Sequence, residues 1–226
     1  MPRPTAILFD IDGTLVDSNF LHVEAWDGAF HDCGFQVPSW KIQRAIGADG
    51  SKLLEMLLPD ASDDDRHAAK DRHDERYPEL ADRLQILPGA RDLVTLLHDR
   101  GHRVVFATSA PESELKNLRG LLDLEDALYA VTSSEDVENA KPAPDIIAVA
   151  LEKAGVDPKD AVMIGDSTWD VESANKVGVR AIGVLSGGTG AADLRDAGAV
   201  EVYEDVAALR DELDSSILTR LEAAWN

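Results

Sequence analysis

The sequence predicts an α/β fold in which helices cover both faces of a Rossmann-like parallel sheet, with an α-helical cap domain inserted after the first strand. Two observations support this prediction. Short, continuously apolar runs alternate along the chain with longer helical patterns, as is typical of parallel strands that are buried on both faces. The stretch from about Val16 to Leu84 interrupts this alternation, because it contains helical patterns and no clear strand.

Six apolar runs are the predicted strands, and ligands of such sheets bind beyond the C-terminal ends of the strands. The runs are Ala6–Phe9, Arg103–Ala107, Ala127–Val131, Ala161–Ile164, Ala181–Val184 and Glu201–Tyr203. The helices predicted between and after them are Ala90–Arg100, Glu112–Leu122, Asp145–Ala154, Val171–Val177 and Leu209–Leu221. The last helix carries one apolar stripe, which predicts that it packs on the core.

The inserted segment divides into three helical patterns. The first has an N-cap at Asp17-Ser18, the second begins at Ser39 and is interrupted by Gly47 and Gly50, and the third runs from Ser62 to about Leu84. We therefore assign residues 1–15 and 87–226 to the α/β core and residues 16–86 to a helical cap. The two points at which the chain crosses between them, near Val16 and Leu87, are expected to form a hinge.

Charge and cysteine content limit the classes of partner. The 226 residues include 43 acidic and 22 basic side chains, for a formal net charge of -21. Such a surface repels nucleic acid and anionic membranes, so neither is an expected partner, and a phosphate site must be locally positive. The single cysteine, Cys33, excludes an intrachain disulfide and a multi-cysteine zinc site, which fits a cytoplasmic protein. The sequence shows no signal peptide and no membrane span.

Polar residues follow the predicted strands at the edge where a ligand is expected. Asp10 and Asp12 follow the first strand, and side chains two positions apart on an extended chain point the same way. Such a pair suits a hard divalent cation, and it also suits a nucleophile beside a general acid/base. The later strand ends add Thr108, Ser109, Lys141, Asp166 and Asp170. Carboxylates, a hydroxyl and an ammonium at one edge are the groups that phosphoryl transfer needs.

This ordered set resembles the four motifs of haloacid dehalogenase superfamily phosphohydrolases, in the phosphoglycolate phosphatase and β-phosphoglucomutase-like branch with a helical C1 cap. Motif one is the run Asp-Ile-Asp-Gly-Thr-Leu-Val-Asp-Ser at Asp10–Ser18, motif two is Thr108, motif three is Lys141, and motif four is Gly165–Asp170. The resemblance covers essentially the whole chain.

The resemblance implies a role for each residue. Asp10 is the expected nucleophile, forming an aspartyl-phosphate, and also a Mg²⁺ ligand. Asp12 is the expected general acid/base, and its backbone carbonyl is expected to bind the metal. Thr108 and Ser109 are expected to bind phosphoryl oxygens, and Lys141 to neutralise the phosphate and hold the nucleophile. Asp166 is expected to ligate Mg²⁺, and Asp170 to support the metal shell.

Simpler interpretations remain for these residues individually. The sequence Asp-x-Asp-Gly is also a turn signal, Lys141 before Pro142 could be an exposed lysine, and Gly165-Asp166-Ser167 could be a helix N-cap. His22 either couples cap closure to the acid/base, as in the mutase branch, or only packs at the hinge.

The functional alternatives differ in what they require of the cap and of motif one. A mutase must hold a second phosphate, but no arginine follows Gly47, so that Arg44 or Lys52 would have to substitute. Asp12 argues against dehalogenase and phosphonatase chemistry, and a catalytically silent binding module is the remaining alternative. We expect a Mg²⁺-dependent phosphatase that acts on a small phosphorylated metabolite, as a monomer or a homodimer.

Overall fold

The computed structural model describes residues 4–136, 141 and 143–223, and its strands form one large sheet and one small ribbon. The strands are β1 (Ala6–Phe9), β2 (Val16–Asp17), β3 (Gln85–Ile86), β4 (Arg103–Ala107), β5 (Leu128–Thr132), β6 (Ala161–Gly165), β7 (Arg180–Val184) and β8 (Glu201–Tyr203). The helices are α1 (Asn19–Asp32), α2 (Ser39–Ala45), α3 (Gly50–Leu57), α4 (Asp63–Arg76), α5 (Ala90–Asp99), α6 (Glu112–Leu122), α7 (Asp145–Ala154), α8 (Thr168–Lys176), α9 (Ala191–Asp196), α10 (Val206–Asp211) and α11 (Leu218–Ala223).

The large sheet has the order β5-β4-β1-β6-β7-β8, and all of its pairings are parallel. Strand β1 is central, since Ile7 pairs with Val104 of β4 on one side and with Val162 of β6 on the other. The chain continues outward from β1 through β4 to β5, and it then returns to β6 and continues in the opposite direction. This reversal places a crevice beyond the C-terminal ends of β1 and β6, where ligands of open α/β sheets bind.

Alternation along the strands builds two apolar layers, one on each face of the sheet. Ile7 and Phe9 of β1 pack in the layer that contains α5, α6 and α10. Ala6 and Leu8 pack in the opposite layer with α7, α8 and α9. All four residues are fully buried, as expected for a strand in the middle of a sheet covered on both faces. The predicted α/β fold is therefore confirmed.

The helical cap has its own apolar interior. Trp26 and Phe30 of α1 pack with Ile42 of α2, Leu54 of α3 and Ala69 of α4 in a cluster made only of cap residues. Residues 46–49 separate α2 from α3, so the interruption predicted at Gly47 is confirmed, whereas Gly50, also expected to interrupt the helix, is the first residue of α3. None of the helices in the described residues combines the length and the apolar character that a membrane span needs.

The two chain crossings between cap and sheet lie side by side. Val16 and Asp17 pair antiparallel with Ile86 and Gln85, and the amide of Leu87 donates a hydrogen bond of 2.9 Å to the carbonyl of Leu15. The structure thus contains a two-stranded ribbon in a region where the sequence predicted no strand, because two-residue strands are too short to show a periodic pattern. The division at residues 16 and 86 and the hinge stay predictions.

Two predicted helices were wrong in extent. The helix expected from Ser62 to Leu84 ends at Arg76, and a 3₁₀ segment, Tyr77–Arg83, with proline at its second position, follows it. The helix expected over Leu209–Leu221 is broken into α10, a 3₁₀ turn and α11. The predicted apolar stripe nevertheless packs on the core. Its spacing continues across the break, so apolar spacing alone does not reveal where the helix is interrupted.

The break before α11 has a local cause. The amide of Ile217 donates to the carboxylate of Glu201 at 3.1 Å, so it makes a tertiary hydrogen bond to β8. The hydroxyl of Ser216 donates to the carbonyl of Leu213 at 2.8 Å and accepts from the amide of Leu218 at 3.2 Å. Serine thus satisfies backbone groups on both sides of the turn, which is the competition that makes it unfavourable inside helices.

We predict that the apolar interior of the cap contributes strongly to stability. In α3, Leu54 is 3% exposed whereas Met56 is 42% exposed. Leu54→Ala should lower the free energy of unfolding by about 2–5 kcal/mol, because it removes buried methyl groups and leaves a cavity. Met56→Ala, in the same helix, should change it by less than about 0.5 kcal/mol. Urea denaturation of both variants measures this difference, and equal losses would contradict the packing described here.

Candidate active site

The predicted edge of the sheet contains a fully buried lysine. The Lys141 ammonium donates to a carboxylate oxygen of Asp10 at 2.6 Å and to the carbonyl of Ala107 at 2.9 Å. It also lies 2.6 Å from a carboxylate oxygen of Asp170. Lys141 is 1% exposed, so the interpretation of an ordinary exposed lysine is wrong. The two carboxylates offset its burial and raise the pKa of Lys141, which keeps it charged.

Three carboxylates lie close together here, and two of them contact this ammonium. One oxygen from each of Asp10, Asp166 and Asp170 lies within 4.8 Å of the others, and all three residues are buried. Burial raises the pKa of Asp10 and of Asp166, and repulsion from Asp170 adds to the effect in both. With all three carboxylates ionised, their charges exceed the single charge of Lys141 by two, so a second monovalent cation would not balance them. A divalent cation would neutralise the cluster.

The side chain of Asp166 is held at the end of β6 by a close-fitting pocket. Asn19 at the start of α1 donates to one of its oxygens at 2.8 Å, and Thr14 donates to the other at 3.3 Å. A Cβ atom on Gly187 would lie 1.7 Å from an Asp166 oxygen, so only glycine fits there. The amide oxygen of Asn19, Oδ1, is buried and has no hydrogen-bond partner.

Asp170 has two functions in the structure. Ser167 and Asp170 form a capping box at the start of α8, in which the Ser167 hydroxyl donates to Asp170 at 2.5 Å and accepts from its amide at 3.3 Å. The other oxygen of Asp170 faces Lys141. The N-cap interpretation of this segment is therefore confirmed, and the same residue also belongs to the buried charge cluster.

The carboxylate of Asp12 points to a different set of partners. It accepts from the Ser18 hydroxyl at 2.6 Å and lies 3.8 Å from His22 Nε2. Burial would raise the pKa of Asp12, but His22 and Ser18 lower it, which favours the ionised form. Ser18 occupies the N-cap position of α1 without capping it, because its hydroxyl is bonded to Asp12. The Asp12 carboxylate does not belong to the group formed by the other three aspartates.

Two hydroxyls follow β4 on the opposite side of β1. Thr108 is fully buried, and its hydroxyl oxygen accepts from the amide of Ala110 at 3.0 Å, which leaves its proton free to donate. The hydroxyl of Ser109 is buried and has no hydrogen-bond partner. Unpaired buried hydroxyls are costly unless a ligand satisfies them. Both residues line the cavity above Asp10 and Asp12.

His22 lies between the acid/base candidate and the cap. Its Nε2 atom is 3.8 Å from Asp12 and 3.9 Å from Glu114 of α6, and its Nδ1 atom is 3.2 Å from Nε2 of His73. Its ring stacks on Tyr77 with centroids 3.8 Å apart. Burial lowers the pKa of His22, but Asp12 and Glu114 outweigh it and raise that pKa overall. The His22 ring thus packs on Tyr77, and its Nε2 atom also lies near Asp12.

The cap closes over these groups and leaves a cavity. The amide of Asp49 in the cap donates to the carbonyl of Lys141 at 3.5 Å, and a Cβ on Gly47 would lie 2.8 Å from the Ser167 hydroxyl. The cavity has a volume of about 140 Å³ and is partly open to solvent. Arg44 lies over the Trp40 ring and Lys52 pairs with Glu55, and neither is among the lining residues.

The residues fit a divalent cation of the magnesium type. Mg²⁺ takes oxygen ligands and is usually held by one or two carboxylates together with waters. Asp10 and Asp166 supply such oxygens, and the unpaired Asn19 Oδ1 atom could accept a hydrogen bond from a water. Asp170 contacts Ser167 and Lys141, so it supports this arrangement by holding Lys141 rather than by supplying a further free ligand.

Sequence reasoning missed several residues of the site. Asn19 and Thr14 contact Asp166, and both lie within or next to motif one, so their position was a usable signal. Gly187 lies in the loop after the inner strand β7 and packs against Asp166. Glu114 and His73 carried no local signal, because only the tertiary fold brings them to His22.

Comparison with known proteins identifies the family of the chain. The family model of haloacid dehalogenase-like hydrolases matches residues 4–178. A Thermotoga maritima protein named phosphorylated carbohydrates phosphatase is 29% identical over 88% of this chain and 94% of its own length. A Rhodospirillum rubrum phosphoglycolate phosphatase is 30% identical over 93% of this chain and 91% of its own length.

A solved structure shows the same architecture at the level of coordinates. The crystal structure of a hydrolase from Pseudomonas syringae superposes with a TM-score of 0.89 and 32% sequence identity, covering 93% of this chain and 98% of that chain. The family model spans most of the chain, including β1, β4, β6 and the cap, and therefore every aspartate of the buried cluster. The chain thus belongs to the haloacid dehalogenase-like hydrolase family.

Proposed function

We propose that this protein is a Mg²⁺-dependent phosphatase that hydrolyses a small phosphomonoester through an aspartyl-phosphate on Asp10. The observation that carries the proposal is the grouping of Asp10, Asp166 and Asp170 at the crevice beyond β1 and β6, where the Lys141 ammonium contacts two of them. The phosphatase names of the two relatives support the same reaction class.

In the first step, a carboxylate oxygen of Asp10 attacks phosphorus, and the bond from phosphorus to the leaving oxygen breaks. Lys141 holds one oxygen of Asp10 in place, and the hydroxyls of Thr108 and Ser109 donate to the phosphoryl oxygens. Asp12 passes a proton to the leaving oxygen, and His22, 3.8 Å away, is a nearby donor that can supply Asp12 with that proton.

In the second step, Asp12 removes a proton from a water molecule, which attacks the phosphorus of the aspartyl-phosphate. The acyl phosphate bond breaks, inorganic phosphate leaves, and Asp10 returns to its carboxylate form. The lowered pKa of Asp12 keeps its side chain ionised, which is the form that can accept this proton. A Mg²⁺ ion held by Asp10, Asp166 and the backbone carbonyl of Asp12, with Asp170 in support, would neutralise the charge on the phosphoryl group.

Two alternatives are less well supported. A mutase must bind a second phosphate with a cation in the cap, but Arg44 and Lys52, the candidates for that task, do not line the described cavity. A silent binding module would not need a nucleophile, a metal cluster and an acid/base grouped beneath one cavity. We keep the cytoplasm as the expected location, and a monomer or a homodimer as the expected state.

Asp10→Asn should abolish turnover while leaving the fold intact, because the amide keeps the shape of the side chain but cannot attack phosphorus. Hydrolysis of p-nitrophenyl phosphate with Mg²⁺ measures the activity, and circular dichroism measures the fold. Full activity in this variant would reject Asp10 as the nucleophile.

Asp12→Asn should lower kcat/KM for an alkyl phosphate by about 10²- to 10⁴-fold, the usual range for the loss of a general acid or base. The loss should be smaller for p-nitrophenyl phosphate, because p-nitrophenolate leaves without needing a proton. Asp17→Asn, an exposed acid in the same motif, is the matched control and should lose little activity. Equal losses with both substrates would contradict the assignment of Asp12 as leaving-group acid.

Mg²⁺ should raise the thermal unfolding temperature of protein stripped with EDTA, because the ion binds the folded state only. At 100 times the dissociation constant the stabilisation would be about 2.7 kcal/mol. Asp166→Asn should remove most of this effect, whereas Asp196→Asn, at an exposed position on α9, should retain it. The proposed metal site is wrong if Asp166→Asn responds to Mg²⁺ as strongly as the unmodified protein does.

A further inference from the structure

We infer that the leaving group of the substrate is uncharged and rich in hydroxyl groups, as in a sugar or polyol monophosphate, and that the cavity selects against anionic leaving groups. This inference rests on the proposed function. Five lining residues carry it, four from the cap and one from α6, and we call them the cap wall: Asp49, Lys70, His73, Asp74 and Glu114.

The two ends of the cavity offer different groups to a ligand. At the phosphoryl end, the hydroxyls of Thr108 and Ser109 can donate to an anion, and the Mg²⁺ ion of the proposed function would offset the aspartates there. The cap wall instead contains three carboxylic acids, from Asp49, Asp74 and Glu114, against the single lysine Lys70. No arginine is among the lining residues in the described part of the chain, and residues 137–140 and 142 include neither lysine nor arginine.

The cationic groups near the cap wall already have anionic partners or are neutral. The Lys70 ammonium lies 2.5 Å from the Asp74 carboxylate, and His22 lies between Asp12 and Glu114. Burial lowers the pKa of His73 to about 4, so its ring is neutral near pH 7. The Lys70–Asp74 pair is partly exposed and therefore weak, so Asp74 alone does not keep an anion away from Lys70. Asp49 and the ionised fraction of Glu114 add the negative charge that does.

The same wall suits hydroxyl groups. Carboxylates accept hydrogen bonds from hydroxyls without requiring a charge on the ligand. Burial raises the pKa of Glu114 to about 7, so its side chain can both accept and donate near neutral pH. Trp26 and Leu53 add apolar surface beside these polar groups, which matches the mixed surface of a sugar ring. A carboxylate or a second phosphate at this place would instead meet charges of its own sign.

A substrate panel tests the inference. We expect kcat/KM for the best of glycerol 3-phosphate, glucose 6-phosphate and fructose 1-phosphate to exceed that for phosphoglycolate and for pyrophosphate by at least about tenfold, from like-charge repulsion at a partly exposed site. Equal values, or a preference for phosphoglycolate or pyrophosphate, would overturn the inference. Hydrolysis of p-nitrophenyl phosphate is measured alongside as a report on the chemistry alone.

The variant Glu114→Gln links the preference to the cap wall. It removes one carboxyl group from the wall and keeps its size, so the ratio of kcat/KM for phosphoglycolate to that for the best sugar phosphate should rise about three- to tenfold. Glu112→Gln, an exposed glutamate on the same helix, is the matched control and should leave the ratio unchanged. An unchanged ratio in Glu114→Gln would remove the cap wall as the source of selectivity.

The outcomes separate this inference from the proposed function. If p-nitrophenyl phosphate is hydrolysed with Mg²⁺ and Asp10→Asn abolishes that hydrolysis, the proposed function holds whatever the ester preference is. A preference for anionic leaving groups then overturns only the substrate class. If no ester is hydrolysed with any divalent metal, the proposed function fails, and the inference fails with it.

Discussion

The Lys141 ammonium is the interaction on which the rest of the site depends. It is buried between Asp10, Asp170 and the carbonyl of Ala107, and so ties together the ends of β1 and β4 and the start of α8. A buried ammonium is stable only with such partners, and a buried carboxylate only with such an ammonium. Removal of Lys141 would leave both Asp10 and Asp170 as uncompensated buried charges. The position of Asp10 is therefore a consequence of charge pairing as much as of the backbone that carries it.

The sequence predicted the sheet and its edge because both follow from short-range rules. Continuous apolar runs indicated parallel strands, and parallel strands bring their C-terminal ends to one edge, so Asp10, Thr108 and Asp166 could be placed together without coordinates. The errors arose where an apolar pattern continues across a break in the helix. The repeat of leucines from Leu209 to Leu221 continues through a break made by Ser216 and by a hydrogen bond to Glu201, and apolar spacing does not register a tertiary hydrogen bond.

The site was predictable only in the residues that follow strand ends. Asn19 and Gly187 hold Asp166 from two distant segments, 168 residues apart, which only the closed fold brings together. Ser18 and Ser167 show a different limit. Both occupy N-cap positions, but Ser167 caps α8 through Asp170 whereas the Ser18 hydroxyl is bonded to Asp12. The same residue type at the same helical position thus serves local structure in one case and the site in the other, and only the tertiary neighbours decide between them.

Loss of a buried charge in the core costs far more stability than loss of an exposed ion pair in the cap. The residues that perform the reaction are therefore more constrained than those that select the leaving group. Loss of a charge that leaves its buried partner unpaired typically costs about 3–5 kcal/mol, which is much of the stability of a domain, so the buried cluster tolerates loss of Lys141 poorly. An exposed pair such as Lys70–Asp74 contributes about 0–1 kcal/mol, so its loss leaves the fold intact. The cap wall can therefore vary in charge without disturbing Asp10. Relatives with one core and different cap walls would share the reaction and differ in the leaving group that they accept.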